Sequence, residues 1–600
     1  MDATEALQRV EQAAADGAIS DTAASNLRVW LSEARYEEYA PLVADHVAAQ
    51  RWKDLDDVFY TVIPFGTGGR RGKMYPIGSN AINDRTIGES AQGLADYVRA
   101  QHTGNDPPAC AIAYDTRHRS RHFAELCSEV MVAAGFQVYF LDGYRSTPEL
   151  SFLVRHKQCA CGIMITASHN PPSDNAVKVY WSTGGQLLPP HDRGVIDRVM
   201  SVETIERASF RDAVREGRIE FCQEEVDAAF IQAVTSQAFP GPRDLKILYS
   251  PMHGVGAVSI VPALEAIGFQ HVEVFGPHAE PDGDFPNVPG NVANPENPAT
   301  FDALIERAEA SGAELILSTD PDTDRLGCAA RTTSDGPWRT FTGNQIAALL
   351  TDYVLAQRQA AGTLSSDHYV IKTLVTTELV RRICEQYDVR CVGDVHVGFK
   401  WIGGLIDELG PERFALGTEE SHGYLAGTHA RDKDAVVAAV LLASLAAQIK
   451  AQGQTLHEKL DALFWQYGCH LERLVTHAMP GAEGMQQMQE LMRRLRDEPP
   501  SHLGSHQVAC VRDYERLERR MPDGSRSDLH SPHGNLLIFD LAAEGNYVAV
   551  RPSGTEPKVK FYCFAYEPAE QIADLEATKQ ELSARLDEVV EAFTTAAAAV

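Results

Sequence analysis

The sequence predicts an α/β protein: three consecutive mixed α/β domains with largely parallel sheets, then a C-terminal α+β domain. Three observations carry that prediction. Six hundred residues with 44% hydrophobic content are too many for one core. From about residue 109 strand and helix patterns alternate, and the alternation recurs twice more without repeating residues, as right-handed βαβ units would. Beyond about residue 465 the alternation stops.

Residues 1–58 read as short, acidic, mostly helical segments with few glycines and no chemical motif, a structural extension. The first α/β unit, assigned to residues 59–235, has strands at Ala109 to Tyr114, Gln137 to Leu141 and Cys159 to Ile165. Its helices open at Ser120, closing at Gly135, and at Pro148. The second, 236–341, has strands at Leu245 to Tyr249, His271 to Phe275 and Glu314 to Ser318, with helices ending near Gly268 and Gly312. The third, 342–462, has strands near Tyr369 to Leu374, Val389 to Val392 and Arg413 to Leu416. The last, 463–600, combines a polar helix, a Pro-, Gly- and Ser-rich stretch from Met521 to Gly534, strands Asn535 to Phe539, Tyr547 to Val550 and Val559 to Tyr562, and a long helix from about Ala569. Stretches near 463–482 are expected as candidate hinge positions.

The net charge of -29, from 54 basic against 83 acidic side chains, argues against nucleic-acid binding, so a site for an anion must be locally basic. Eleven scattered cysteines read as free thiols in a reducing compartment; Cys159 and Cys161 lack the spacer of zinc and redox motifs. The N-terminus has no signal-peptide pattern and no uncharged apolar run spans a bilayer, so a soluble cytoplasmic protein without a membrane partner is expected. Oligomeric state leaves no signature.

In each α/β unit the third strand runs into a polar loop: Thr166-Ala-Ser-His-Asn-Pro-Pro172, Asp320-Pro-Asp-Thr-Asp-Arg325 and Gly417-Thr-Glu-Glu-Ser-His-Gly-Tyr424. Loops at the carboxyl ends of parallel strands bind ligands, so all three are expected to face one cleft. Asp320, Asp322 and Asp324, two residues apart, offer converging carboxylates to a hard cation, and oxygen-only ligands favour Mg²⁺ over zinc. An EF-hand is excluded because its glycine and glutamate positions hold Arg325 and Arg331. Ser168 is a nucleophile or phosphate carrier, or a capping turn; His169 beside it and Lys178 in the following strand are acid–base candidates. Glu419 and Ser421 can bond vicinal sugar hydroxyls or start a helix. Arg551-Pro-Ser-Gly-Thr-Glu-Pro-Lys558, between two strands, is a phosphate cradle or a plain hairpin. Phe65-Gly-Thr-Gly-Gly-Arg-Arg-Gly72 fails the dinucleotide fingerprint, so a nicotinamide site is rejected.

With these four motifs in order, and with Gln186-Leu-Leu-Pro-Pro-His-Asp192, Tyr249-Ser-Pro-Met-His-Gly-Val-Gly256 and Arg431-Asp-Lys-Asp434, the chain resembles the α-D-phosphohexomutases over about residues 60–565. The resemblance is greatest to the phosphoglucomutase and phosphopentomutase branch with long N-terminal extensions. It implies four domains around a central cleft, Ser168 as the phosphoserine, and Mg²⁺ held by Asp320, Asp322 and Asp324 with the serine phosphate. It implies that Glu419 and Ser421 read sugar hydroxyls, and that Arg551, Ser553, Gly554 and Thr555 grip the non-reacting phosphate. Arg71, His169, Lys178 and Arg325 match basic residues around the reacting group, Lys178 being the general base, and Lys433 adds charge at the sugar face. Ala176 and Val177 stand where the family has glycine and an aromatic, Arg70 replaces an apolar residue, and Lys560 replaces an arginine.

The implied activity is a phosphosugar mutase that exchanges sugar 1-phosphate with 6- or 5-phosphate through a sugar bisphosphate such as glucose 1,6-bisphosphate. Glucose 1-phosphate is the first expectation as substrate, with pentose or mannose phosphates as alternatives. A metal-dependent sugar phosphatase and a catalytically silent sugar-phosphate sensor are the competing readings.

Overall fold

A computed structural model describes residues 1–66, 68–479, 484–553 and 558–598 of the chain. The N-terminal extension is helical as expected: Ala3–Ala15, Asp21–Ser32, Ala40–Ala48 and Trp52–Phe59. Asp2 and Ser20 cap the first two helices. Trp30, stacked on Tyr36 at 4.5 Å and edge-on to Phe59, centres a core of its own.

Three sheets follow, built to one plan. In the first, Ala109–Tyr114 pairs parallel with Gln137–Phe140 and with Cys161–Ile165, after which Asp174–Trp181 returns antiparallel to Cys161–Ile165 and Gly69–Lys73 pairs antiparallel beyond it. The second places Lys246–Ser250 parallel to His271–Val274 and Leu315–Thr319, with Leu326–Arg331 folding back. The third places Tyr369–Lys372 parallel to Arg390–Val392 and Phe414–Glu419, with Gly423–Leu425 folding back. The inner parallel strands Ala109–Tyr114, Cys161–Ile165, Leu315–Thr319 and Tyr369–Lys372 bury nearly every residue, as strands covered on both faces must. Each polar loop therefore joins the last parallel strand to an antiparallel one. In the third unit this corrects the expected loop, since Gly417, Thr418 and Glu419 lie within the strand.

The apolar helix Ala435–Ala451, buried along almost its whole length, packs against helices Gln223–Thr235, Ala257–Ala266 and Gly343–Ala360. Asp434 starts it by accepting from the N–H groups of Val436 and Val437 at 2.7 and 3.3 Å. Among the described residues no single helix is long and apolar enough to cross a membrane.

The last sheet is antiparallel. Cys469–Ala478, Lys558–Glu567, Tyr547–Pro552, Leu537–Leu541 and His506–Asp513 lie in that order, with helix Leu575–Ala598 against the first two. One expectation is corrected here, and another falls partly outside the described residues. The expected hinge near 463–482 contains the end of helix Leu456–Tyr467 and the ten-residue strand Cys469–Ala478, while residues 480–483 lie outside the described residues. The final helix begins at Leu575, not near Ala569, because Ala569–Gln571 form a separate 3₁₀ turn. Tyr514, Ile538, Tyr547 and Tyr562 of this sheet region pack on Leu374 and Val375 of the third unit.

Candidate active site

Ser168 sits in the turn after Cys161–Ile165 at φ 52°, a left-handed conformation that costs a non-glycine residue about 1 kcal/mol. It caps no helix. Its backbone N–H donates to Thr166 Oγ1 at 2.8 Å. Arg117 holds the loop from below: its guanidinium donates to the carbonyls of Pro171 and Asp174 at 2.8 and 3.0 Å and of Ser168 and Asn170 at 2.5 Å each. Arg117 is fully buried beside Asp115, 3.4 Å away, and lies over the ring of Phe285 from the second unit.

The Ser168 hydroxyl donates to Asp320 Oδ2 at 2.6 Å, a contact between residues 152 apart in the chain. His169 Nδ1 lies 3.2 Å from the same hydroxyl. Burial, then the charges of Arg325 and Arg71, hold the His169 imidazole well below its usual range, so it is neutral near pH 7. Arg71 is exposed on Gly69–Lys73, where alternation turns its neighbour Arg70 the other way. Arg70 donates inward to Glu89 at 2.8 Å and to the Thr86 carbonyl at 2.9 Å, so this departure from the family pattern is a core ion pair away from the serine.

One oxygen from each of Asp320, Asp322 and Asp324 lies within 4.8 Å of the other two, and all three carboxylates are buried. Gly256, from the Tyr249 to Gly256 motif, makes the loop possible: a Cβ there would meet Tyr249 Oη at 2.0 Å and Thr323 Oγ1 at 2.9 Å. Thr147, at the N-terminus of helix Thr147–His156, donates its hydroxyl to Asp322 Oδ2 at 2.7 Å and its N–H to the Asp322 carbonyl at 3.0 Å. Lys178 donates to Asp322 Oδ2 at 2.8 Å, and Lys433 lies 2.9 Å from Asp324 Oδ2.

The three acids do not all carry charge comfortably. Burial and the neighbouring aspartates push Asp320 well up; burial also pushes Asp322 up, but Lys178, Asp320 and Thr147 outweigh it and hold Asp322 down. Asp322 Oδ1 and Asp324 Oδ1 are buried with no hydrogen-bond partner. Two orphaned carboxylate oxygens in an oxygen-only cluster fit a hard divalent cation such as Mg²⁺.

Burial lowers Lys178, but Asp322 and Asp324 more than restore it, so it stands as an ammonium, the form without a free lone pair. Arg325 is ion-paired with Glu296. Glu419 is buried at the end of its strand; burial raises it, while Lys433 and Arg325 draw it down. Gly423 admits both neighbours, since a Cβ there would lie 2.7 Å from Lys433 Cδ and 2.8 Å from Glu419 Cγ. Ser421 lies half-buried in the turn between the two strands.

The fourth sheet reaches the same region through Lys560, whose ammonium feels Glu296, Glu420 and Arg325. Arg551, paired with Lys560 in register, lies near His396 and Tyr562. Ser553 N–H donates to the Lys558 carbonyl at 2.8 Å; Gly554 and Thr555 lie outside the described residues.

The structure thus joins Ser168, His169, Lys178, Arg325, Lys433 and the acid triplet in one cluster. Sequence reasoning missed Arg117, Thr147, Glu296 and Asp432. Thr147 was masked by its Ser-Thr-Pro helix-start pattern, Asp432 lay in the Arg431–Asp434 motif without a role of its own, and Arg117 and Glu296 carry no local signal.

Comparison with known proteins agrees with this geometry. The phosphoglucomutase/phosphomannomutase α/β/α domains I, II and III match residues 63–206, 228–334 and 342–467. The chain is 35% identical over 536 residues to the phosphoglucomutase of Staphylococcus haemolyticus, covering 87% of this chain and 93% of that protein. It is 33% identical over 529 residues to that of Staphylococcus aureus, covering 84% and 90%. The fold matches Paramecium parafusin, a phosphoglucomutase, in its open form, with TM-score 0.64, 18% identity and 89% and 95% coverage. A phosphoglucomutase/phosphomannomutase family protein from Burkholderia thailandensis matches with TM-score 0.63, 18% identity and 89% and 98% coverage. The motif order and the three matched domains make this chain a member of the α-D-phosphohexomutases, the phosphoglucomutase/phosphomannomutase family of mutase isomerases.

Proposed function

We propose that this mutase interconverts glucose 1-phosphate and glucose 6-phosphate through a phosphoserine at Ser168 and a glucose bisphosphate intermediate. The observation that carries the reading is the Ser168 hydroxyl, 2.6 Å from an acid triplet contributed by a different sheet. Phosphorylated Ser168 gives its phosphoryl group to the free hydroxyl of the sugar monophosphate; the sugar oxygen–phosphorus bond forms as the serine oxygen–phosphorus bond breaks. The bisphosphate turns over and returns its other phosphate to the serine. Asp320, Asp322 and Asp324, with the serine phosphate, would hold Mg²⁺, which when bound offsets charge on the phosphoryl oxygens.

Around the phosphoryl group Arg71 and Arg325 supply fixed positive charge, and neutral His169 supplies a hydrogen-bonding ring nitrogen. Lys178 is the proton carrier in this reading: its ammonium must first give up a proton, and only the resulting neutral amine accepts the proton of the sugar hydroxyl. Glu419 and Ser421 read the sugar hydroxyls and Lys433 the charge at the sugar face. Arg551 and Ser553, with Gly554 and Thr555, grip the phosphate that is not reacting. The glucose preference is supported by the names of the relatives, and a cytoplasmic setting suits a phosphorylated substrate.

Ser168→Ala tests the phosphoserine. Purified variant given glucose 1-phosphate and glucose 1,6-bisphosphate is expected to form no glucose 6-phosphate; near-normal turnover would refute the assignment. The same assay with ribose and mannose 1-phosphates separates the sugar specificities, and release of inorganic phosphate without isomer would identify a phosphatase.

A further inference from the structure

Asp432 is a buried carboxylate, 1% exposed, that meets two domains at once. Its Oδ2 accepts from the Tyr180 hydroxyl and from Gln186 Nε2, both at 2.9 Å and both belonging to the first unit. Its Oδ1 accepts from the Lys433 backbone N–H at 2.9 Å and faces Lys433 Nζ at 3.4 Å. Lys433 Nζ in turn lies 2.9 Å from Asp324 of the acid triplet, its stem threaded past Gly423 beside Glu419.

Tyr180 stands two residues after Lys178 on strand Asp174–Trp181, so the two side chains leave the same face. That strand delivers one cation to the triplet directly, as Lys178 to Asp322, and aims the second indirectly, through Tyr180 and Asp432. A carboxylate buried to this degree is costly unless its oxygens are satisfied. Here both oxygens are, and the chain of bonds leads to one lysine.

We infer that Asp432 is a positioning residue: anchored by Tyr180 and Gln186, it holds the Lys433 ammonium between the acid triplet and the sugar-reading Glu419, where it meets the charge of a sugar phosphate. This rests on the reading of the site as a sugar-phosphate mutase. Replacing Asp432 with asparagine keeps the shape but turns an NH₂ group toward donors, against either Lys433 or the Tyr180–Gln186 pair. The lysine then loses its fixed aim.

The test is a double-mutant cycle on the full-length protein, Asp432→Asn with Lys433→Met, read as kcat/KM and as the calorimetric Kd for glucose 1-phosphate. Asp432→Asn is expected to lower kcat/KM and weaken binding about 10-fold, the worth of one charged hydrogen bond. In the Lys433→Met background the same substitution is expected to cost less than about twofold, because its only route of action is gone. A purely structural role would give the same loss in both backgrounds and overturn the inference.

Tyr180→Phe, which removes a single hydroxyl, serves if Asp432→Asn does not fold. It is expected to show a loss of about threefold with the same non-additivity. Wild-type protein that binds glucose 1-phosphate without isomerising it would sink the proposed function while the Kd cycle still decides the role of Asp432. Absence of any binding would sink both.

Discussion

Arg117→Met removes the clamp beneath the serine loop. The guanidinium makes four hydrogen bonds to backbone carbonyls between Ser168 and Asp174. At about 1.5–3 kcal/mol for each bond to a charged donor, a simple sum would rival the whole stability of a domain. The loss cannot be expressed in full, because the loop would rather give up its shape and turn its carbonyls to water. What cannot relax is Asp115, fully buried and left without its cation, and breaking a buried pair costs about 3–5 kcal/mol. Arg117→Met is therefore expected to destabilise by about that amount and to lower mutase turnover at least ~100-fold, the equivalent of roughly 2.7 kcal/mol in the barrier. Arg117→Lys separates the two effects. It returns a charge beside Asp115, and with it much of the lost melting temperature, but one ammonium with three donors cannot span four carbonyls, so turnover stays low. Thermal unfolding, turnover and the stoichiometry of phosphate accepted by Ser168 from glucose 1,6-bisphosphate measure the three consequences. Wild-type turnover in Arg117→Lys would show that the clamp does not hold the serine.

Other substitutions probe the metal and the domain boundary. Asp322→Asn is expected to weaken Mn²⁺ binding about 100-fold by calorimetry, since it removes one of three converging carboxylates; unchanged affinity would move the cation elsewhere. Glu420 and Glu472 line a cavity of about 180 Å³ between the second, third and fourth units, and burial pushes both carboxyls up to about 7 from 4.5. The folded protein then keeps protons that the unfolded chain has released. Their contribution is full below pH 4.5 and is lost as pH rises through 7. Both groups are half-buried and keep part of their hydration, so the effect is about 1–2 kcal/mol each. Glu472→Gln should be more stable than wild type at pH 8 and should narrow the difference in melting temperature between pH 5.5 and pH 8; an unchanged difference would contradict the burial argument.

The loops that begin at Thr166, Asp320 and Gly417 were legible because each is a run of polar residues at the end of an apolar strand, where hydrophobic periodicity breaks abruptly. Their convergence was an inference from strand order: the contact of Ser168 with Asp320 joins the first two, and the backbone bridge of Arg325 with Gly423 joins the third to the second. What stayed hidden was support from afar. Arg117 and Glu296 look like ordinary surface charges in the sequence, and folding within their own units turns them to the Ser168 loop and to Arg325; Asp432 lies in the Arg431–Asp434 motif, but its partners Tyr180 and Gln186 come from another unit. Strand Cys469–Ala478 escaped because its apolar residues Leu471, Leu474, Val475 and Ala478 fall three, one and three apart, a spacing that reads as a helix and not as a strand. It uses Glu472 to line an interdomain cavity instead of a solvent face.

Helix Ala435–Ala451 bears on how this protein can be dissected. Because it gives its flanks to helices of three different units, a fragment ending near residue 341 would display a raw greasy surface where that rod belongs. Recombinant pieces cut at the natural seams should clump rather than dissolve, and swapping single modules with relatives would require carrying the rod's whole socket along.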